Sequence, residues 1–282
     1  MNDATLLISV LIPARGRPLE LARCIRTLRA AAAQDPSIEI LVAIDDDDEA
    51  FHRSPFSNAH VRALIGPRPA TLGAKLNILA AAARGDILWF IADDYVMDTA
   101  GWPARFRDAV ATLPGGIGIL YPQDALHDDH ASFPLITRRI YAGLGYFAPP
   151  WFPYWFVDTW WDEIGILLGL HRAIDVQVSA PEGRGRSHGV FDVAFWAQLF
   201  EDTRSLRVRD ARVLAGLSGQ DPDAMLAALP GRYAHCAQRT SLLRDPQRVA
   251  YWESHQAVGP RPARYQAVKA EGERLMASLR RT

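Results

Sequence analysis

The feature that most constrains the fold is a short apolar run that ends in two adjacent carboxylates. Residues 85–98 read Gly-Asp-Ile-Leu-Trp-Phe-Ile-Ala-Asp-Asp-Tyr-Val-Met-Asp, and the apolar run 87–92 stops at Asp93 and Asp94. A run this short, rich in Ile, Trp and Phe, is typical of a buried strand. Ligands of open α/β sheets bind beyond the carboxyl ends of the strands, and hard divalent cations prefer carboxylate oxygens. The stretch therefore predicts a buried strand with a metal site, Asp93 and Asp94, at its end.

Short apolar runs alternate with amphipathic segments over the first part of the chain. The pattern predicts strands at 6–12, 38–44, 61–65, 86–92 and 117–121, and helices at 19–33, 71–84 and 101–113. The runs have few polar interruptions, as parallel strands covered by helices on both faces do. We therefore predict an α/β fold with a mixed, mainly parallel sheet flanked by helices.

The pattern is less regular after Tyr121. A strand fits 134–146 and 173–178, and helices fit 158–170, 190–200, 221–229, 244–256 and 262–281. A polar, glycine-rich loop at 181–189 contains His188. Such a loop is suited to closing over a ligand.

Composition excludes several functional classes. The chain has 282 residues, 49% of them hydrophobic, which is enough for a sizeable core. With 31 basic and 32 acidic residues there is no overall field that would attract nucleic acid. Cys24 and Cys236 lack metal-ligand spacing and suggest reduced thiols in a cytoplasmic protein, with Cys24 in the core. No signal peptide or transmembrane segment is expected.

Charged residues near the predicted strand ends outline a ligand site. Because parallel strands end at one edge of a sheet, Asp45 should share a crevice with Asp93 and Asp94. Lys75 and Asn77 lie near the start of the helix predicted between Asp45 and the acidic pair. A helix N-terminus and a lysine there favour phosphate. A diphosphate would then be held between this helix and a metal ion. The alternatives are a solvated turn or helix cap for the acidic pair and a solvent-facing first turn for the helix.

Four motifs, in order, resemble those of family 2 glycosyltransferases with the GT-A (Rossmann-like) fold. They are residues 8–17 (ISVLIPARGR), 42–46 (VAIDD), 73–77 (GAKLN) and 85–94 (GDILWFIADD). The resemblance covers about residues 5–120. It implies a GT-A-like sheet and a nucleoside-diphosphate sugar as the donor, without indicating which sugar.

The resemblance also implies roles for individual residues on the donor side. The loop Pro13-Ala14-Arg15 and Asp45 would contact the base and ribose, and Lys75 and Asn77 would lie near the nucleotide or diphosphate. Asp93 and Asp94 would match the acidic motif that bridges the diphosphate through Mn²⁺ or Mg²⁺. The family's two acids are usually separated by one residue, whereas here they are adjacent. We predict Asp94 as the metal ligand and Asp93 as a donor-binding residue. Because the two acids are adjacent, the alternative is that the two roles are exchanged.

The acceptor side resembles the family in a shorter segment. Residues 156–165 (FVDTWWDEIG) are similar to the acidic segment that opens the acceptor-side helix, and His188 falls where some members carry a histidine near the metal. Inverting transfer needs a carboxylate to remove the proton of the acceptor hydroxyl. Asp158 and Asp162 share a helix face and Glu163 lies one step round. We predict Asp158 as the base, with Asp162 next, and His188 as a metal ligand; a helix cap and an exposed loop histidine are the alternatives.

Two other clusters have structural interpretations. The run 127–130 (HDDH) imitates a metal site, but we interpret it as a polar surface loop. The aromatic patch 146–161 could stack against an acceptor, or could pack between the sheet and the later helices. Peripheral membrane contact is a weaker alternative because the flanks are not strongly basic.

These observations predict a GT-A domain at 1–215, with a nucleotide-sugar half at about 1–121 and an acceptor half at about 122–215. A helical C-terminal extension follows at 216–282. The predicted activity is metal-dependent, inverting transfer of a sugar to an unknown glycan, lipid-linked or small-molecule acceptor. One alternative is a sugar nucleotidyltransferase, although the loop 13–18 is too short and proline-rich for its phosphate loop. The other is a nucleotide-sugar binding module without a base.

Overall fold

A computed structural model describes residues 5–53, 61–124, 130–181, 191–240 and 260–281, together with positions 247, 250 and 254. Within these residues an eight-stranded sheet has the order β3-β2-β1-β4-β7-β6-β8-β5. Its strands are β1 Ile8–Ala14, β2 Ile38–Asp45, β3 Val61–Gly66, β4 Ile87–Phe90, β5 Val96–Met97, β6 Ile119–Asp124, β7 Leu135–Thr137 and β8 His171–Ser179. The predicted mixed, mainly parallel sheet is confirmed.

Strand direction places the predicted ligand residues at one edge of the sheet. β1 pairs in parallel with both β2 and β4, and β2 pairs in parallel with β3. β7 is antiparallel to β4 and β6, while β8 is parallel to β6 and antiparallel to β5. The carboxyl ends of β1, β2 and β4 therefore lie side by side, with the strand ends at Ala14, Asp45 and Phe90 close together.

Helices flank the sheet. In chain order they are α1 Pro18–Ala31, α2 Glu49–Arg53, α3 Leu72–Ala82, α4 Trp102–Ala111, α5 Arg138–Leu144, α6 Val157–Leu168, α7 Val193–Asp202, α8 Arg204–Ser218, α9 Pro222–Ala227, α10 Leu229–Thr240 and the C-terminal helix Ala263–Leu279. α1 buries Leu21, Cys24, Ile25 and Leu28, the apolar face that its sequence predicts. None of the helices in the described ranges is long and apolar enough to cross a membrane.

The prediction of a strand over 134–146 is wrong for most of that segment. Only β7 is extended, and α5 follows it directly. The side chain of Thr137 caps α5 by accepting a hydrogen bond from the Ile140 amide, and Gly145 ends the helix in the left-handed conformation. Such local capping of a seven-residue helix is stronger here than the strand preference of its apolar residues. Residues 182–190 and most of 244–256 lie outside the described residues.

Polar contacts join the helices after β8 to α6 and to one another. Arg207 of α8 lies 3.1 Å from Glu163 of α6, and both side chains are fully buried. α8 runs past the predicted boundary at residue 215 to Ser218. The C-terminal helix contacts the start of α7, where Lys269 lies 2.8 Å from Asp192. The division into a domain and an extension stays a prediction.

Candidate active site

Asp45 is the centre of a buried charged cluster at the end of β2. Its Oδ1 lies 2.7 Å from Nζ of Lys75, and its Oδ2 accepts a hydrogen bond of 2.8 Å from Nη1 of Arg15. Lys75 also donates to the carbonyl of Ala14 at 2.9 Å. Desolvation lowers the pKa of Lys75, although Asp45 opposes the shift. The structure thus brings together four residues that the sequence assigns to the donor, with Pro13 on the adjoining part of β1.

The start of α3 is built to hold Lys75 against the strand ends. Thr71 caps the helix by accepting a hydrogen bond of 3.0 Å from the Ala74 amide. A Cβ atom at Gly73 would lie 2.0 Å from the carbonyl oxygen of Pro149. Only glycine therefore lets the first turn of α3 approach the loop before α6 this closely.

Asn77 has a different environment from the one expected. Its Oδ1 accepts hydrogen bonds from the amides of Phe147 and Ala148 at 2.8 and 2.9 Å, and its Nδ2 donates to the carbonyl of Ala148 at 2.8 Å. Three of its hydrogen-bonding positions are thus used to fix the backbone before α6. We therefore assign Asn77 to supporting the site, and contact with a donor stays an untested prediction.

An arginine bridges the two carboxylates after β4. Nη2 of Arg17 lies 2.5 Å from Oδ1 of Asp93, and Nη1 of Arg17 contacts Oδ2 of Asp94. Asp93 is fully buried, and its Oδ2 accepts a hydrogen bond of 3.4 Å from the Arg15 amide. Desolvation raises the pKa of Asp93 to about 7. Arg17 was not among the residues predicted for the site.

The acidic pair meets part of the requirement of a divalent cation. Both residues offer carboxylate oxygens, and in the buried Asp93 side chain Oδ1 is paired with Arg17. Carboxylate oxygens suit a hard cation. The described residues contain no group of three or more His, Cys, Asp or Glu side chains that could hold a metal. His188, the predicted further ligand, lies outside the described residues.

Asp158 lies in the first turn of α6 with its side chain 34% exposed. Its Oδ1 accepts a hydrogen bond of 2.8 Å from the Thr159 amide, and its Oδ2 lies 3.1 Å from Nε2 of His130. Burial disfavours the charged form, but His130 outweighs that effect and the pKa of Asp158 is lowered. The helix cap position belongs to Phe156. Asp158 is therefore an ionised carboxylate that retains access to solvent.

Asp162 lies one turn further along α6 and is enclosed, with its side chain 1% exposed. Its Oδ1 accepts from the Ala131 amide at 2.9 Å and lies 2.6 Å from Nε2 of His171, while its Oδ2 contacts Nδ1 of His130. Burial opposes its ionisation, but the two histidines lower the pKa of Asp162 well below its usual range. Glu163 points to α8 and Arg207 instead.

His130 is the clearest correction to the sequence interpretation. The run 127–130 suggested a polar surface loop, but His130 is only 25% exposed and contacts two acidic residues of α6. The amide of the next residue, Ala131, donates a hydrogen bond to Asp162, and this bond holds the chain next to α6. His127, Asp128 and Asp129 lie outside the described residues. His171, which lies 2.6 Å from Asp162, was also not among the residues predicted for the site.

The aromatic patch divides into a core part and a surface part. Most of its side chains belong to the buried core; they are Phe147, Phe152, Phe156, Trp160 and Trp161. Phe152 and Phe156 lie against Phe200 of α7, and Arg207 of α8 lies over the ring of Trp160. Trp151 and Trp155 are partly buried, and Tyr154 is 43% exposed. Packing therefore accounts for most of the patch, and Tyr154 is the exposed member.

Comparison with known proteins agrees with the four motifs. Residues 9–111 match the family model "Glycosyl transferase family 2". A mannosyltransferase from Pyrobaculum calidifontis, solved with GDP-Man and Mn²⁺, has a TM-score of 0.52 at 13% identity, covering 98% of this chain and 88% of that one. S. aureus TarS 1–349 has a TM-score of 0.53 at 10% identity, covering 86% of this chain and 75% of that one. None of the curated sequences compared with the chain matches it.

Proposed function

We propose a reaction and a set of site residues for this chain on the premise that it is a family 2 glycosyltransferase with a GT-A fold. The reaction is transfer of a sugar from a nucleoside diphosphate to an acceptor hydroxyl, with inversion at the anomeric carbon and with a divalent cation. The observation that supports the proposal is the meeting of Asp45 with Lys75 and of the pair Asp93 and Asp94 around Arg15 at one sheet edge. A partly exposed carboxylate, Asp158, lies in the first turn of α6.

The donor would lie between α3 and the acidic pair. Lys75 and Arg15 supply positive charge for phosphate oxygens, and Arg68 adds a further guanidinium 3.7 Å from Asp45. Asp45 supplies carboxylate oxygens that can accept hydrogen bonds from a base or ribose. The Pro13-Ala14-Arg15 segment contributes backbone to the same pocket.

Asp93 and Asp94 would hold the divalent cation, with His188 retained as a proposed further ligand. The Mn²⁺ in the Pyrobaculum mannosyltransferase supports a divalent ion in this fold, and either Mn²⁺ or Mg²⁺ suits carboxylate oxygens. When bound, the cation supplies positive charge that stabilises the departing diphosphate. Arg17, which contacts both carboxylates in the free protein, must share them with the cation or turn aside.

Asp158 would act as the base. As the acceptor oxygen bonds to the anomeric carbon, its proton passes to the Asp158 carboxylate, and the carbon–oxygen bond to the diphosphate breaks with its electron pair. Direct displacement of this kind inverts the carbon and needs no protein nucleophile. Asp162 suits this role less well because both of its oxygens are bonded and its side chain is buried.

The proposal is tested by turnover with a panel of nucleoside-diphosphate sugars and a mixture of sugar, lipid-linked and small-molecule acceptors. Release of nucleoside diphosphate is measured with Mn²⁺, with Mg²⁺ and with EDTA. We expect one donor to be used, with loss of activity in EDTA and in Asp158→Asn. Asp223→Asn, at an exposed position of α9, is the matched control. Turnover of no donor, or an Asp158→Asn variant as active as wild type, would contradict the proposal.

A further inference from the structure

His130 lies between two carboxylates that belong to one face of α6. Its Nε2 is 3.1 Å from Oδ2 of Asp158, and its Nδ1 contacts Oδ2 of Asp162. Residues four apart on a helix are neighbours on its surface, so a single imidazole can reach both. The histidine comes from a separate loop, and therefore joins two parts of the chain at the proposed base.

The two contacts define the charge of the ring. A neutral imidazole has one N–H and one lone pair, so either tautomer would direct a lone pair at a carboxylate. Only the imidazolium donates a hydrogen bond to both oxygens. Burial by itself disfavours the charged ring, but Asp158 and Asp162 outweigh it and raise the pKa of His130 to about 10.

Asp162 is held in place by further contacts besides the one to His130. Asp162 accepts hydrogen bonds from the Ala131 amide and from His171, whose ring lies against that of Tyr121 with centroids 4.7 Å apart. Of the four ionisable groups in the row Asp158, His130, Asp162 and His171, Asp158 is the most exposed. The row therefore begins at the base and ends inside the protein.

We propose that His130 is a positioning residue for the transfer reaction: a permanent imidazolium that orients the Asp158 carboxylate and neutralises the Asp162 carboxylate behind it. This inference rests on the proposed function of Asp158 as the base. His130 keeps both of its protons throughout, and the proton of the acceptor hydroxyl goes to Asp158.

The proposal predicts a specific change when the imidazolium is removed. The charged or titratable groups that face His130 in the described residues are Asp158 and Asp162, with His171 beyond Asp162. Without the cation, the negative charge of Asp162 acts on Asp158 unopposed and raises the pKa of the base. The carboxylate also loses the hydrogen bond that orients it.

The first test uses the free, full-length protein and does not depend on turnover. Histidine-specific ¹⁵N labelling and NMR report the protonation of each ring, and His130 is identified as the signal that disappears in His130→Gln. We expect both nitrogens of His130 to carry protons at pH 8, where a histidine with the ordinary pKa of about 6.5 is neutral. A His130 ring that is neutral at pH 7 would overturn the proposal.

The second test is kinetic and uses the pH profile, which a purely structural role would not move. In His130→Gln we expect kcat to fall by about 10–100-fold, since misplacement of a reacting group costs about that much. The acidic limb of kcat/KM should move to higher pH by about one unit, while metal-dependent binding of the nucleoside diphosphate stays unchanged. His235→Gln should match wild type. An unshifted limb in His130→Gln contradicts the proposal.

Two controls distinguish a failure of this proposal from misfolding of the variant and from a failure of the proposed function. If His130→Gln does not fold, Asp162→Asn removes one carboxylate next to His130 with little change in shape, and is expected to lower the pH at which the ring loses its proton. An unchanged titration of His130 in that variant counts against the proposal. If the wild-type protein turns over no donor, the proposed function fails, but the NMR result still decides the charge of His130.

Discussion

Nη2 of Arg17 lies 2.5 Å from Oδ1 of Asp93, at the position where the sequence predicts a metal ion. The same guanidinium contacts Asp94 through its other nitrogen. A cation that is part of the chain therefore offsets part of the negative charge of the acidic pair. A divalent ion and Arg17 need the same carboxylate oxygens, and this competition can be measured.

Removal of Arg17 should strengthen metal binding. In Arg17→Gln we expect the Kd for Mn²⁺ to fall by about 10-fold, because a unit charge about 4 Å from another is worth on the order of 1–4 kcal/mol near a protein surface. Electron paramagnetic resonance of free Mn²⁺ measures this without turnover. Arg29→Gln, at an exposed position of α1, is the control. Equal affinity in wild type and Arg17→Gln would show that the arginine does not compete.

Lys75 should be needed for both stability and nucleotide binding. Lys75→Met leaves the buried Asp45 carboxylate without its closest cation, a change that costs about 3–5 kcal/mol when one partner of a buried ion pair is removed. Urea unfolding measures this loss. The double variant Lys75→Met with Asp45→Leu should recover most of the stability without recovering nucleotide binding. Recovery of both would show that the pair is structural only.

Substitutions of Glu163 and Asp158 should have opposite effects: the first should lower mainly stability, and the second mainly kcat. Glu163→Gln weakens a fully buried pair with Arg207, and we expect a loss of unfolding free energy of about 3–5 kcal/mol with little change in kcat of the folded fraction. Asp158→Asn should reduce kcat by about 100-fold or more with a small effect on stability. The comparison requires unfolding curves and initial rates on both variants, and the reverse pattern would assign the base to Glu163.

The stability of the protein should depend on pH through His130. Its pKa is raised to about 10 in the folded protein, from about 6.5 in an unfolded chain. The stabilisation is therefore complete below about pH 6.5 and is lost progressively as pH rises towards 10. Urea unfolding at pH 6, 8 and 10 should show wild type losing stability relative to His130→Gln over this range. A constant difference between the two proteins would contradict the raised pKa.

The donor side of the site follows largely from local sequence patterns. Strands β1, β2 and β4 could be predicted from short apolar runs, and the parallel arrangement then placed Asp45 and Asp93 at one edge. Lys75 could be placed because a helix was predicted to begin at about residue 71, and α3 begins at Leu72. These are properties of a few adjacent residues together with a general rule of strand direction.

The remaining contacts join residues that are distant in sequence, and no local pattern reports them. Arg17 and Asp94 are 77 positions apart, and His130 and Asp158 are 28 apart. The polar run at 127–130 resembles a surface loop because the carboxylates that enclose His130 belong to a helix formed later in the chain. The same limit applies to Asn77, whose hydrogen bonds go to backbone some 70 residues away.

Binding of a nucleoside diphosphate with and without Mn²⁺ decides whether the acidic pair forms part of a metal-dependent donor site. Isothermal titration calorimetry would compare wild type, Asp93→Asn and the exposed control Asp175→Asn for each common nucleoside diphosphate. We predict that Mn²⁺ tightens the binding of at least one nucleoside diphosphate to wild type and to Asp175→Asn, and that Asp93→Asn loses this dependence on metal. Metal-independent binding, or no binding of any nucleoside diphosphate by the wild-type protein, would show that Asp93 and Asp94 do not form such a site.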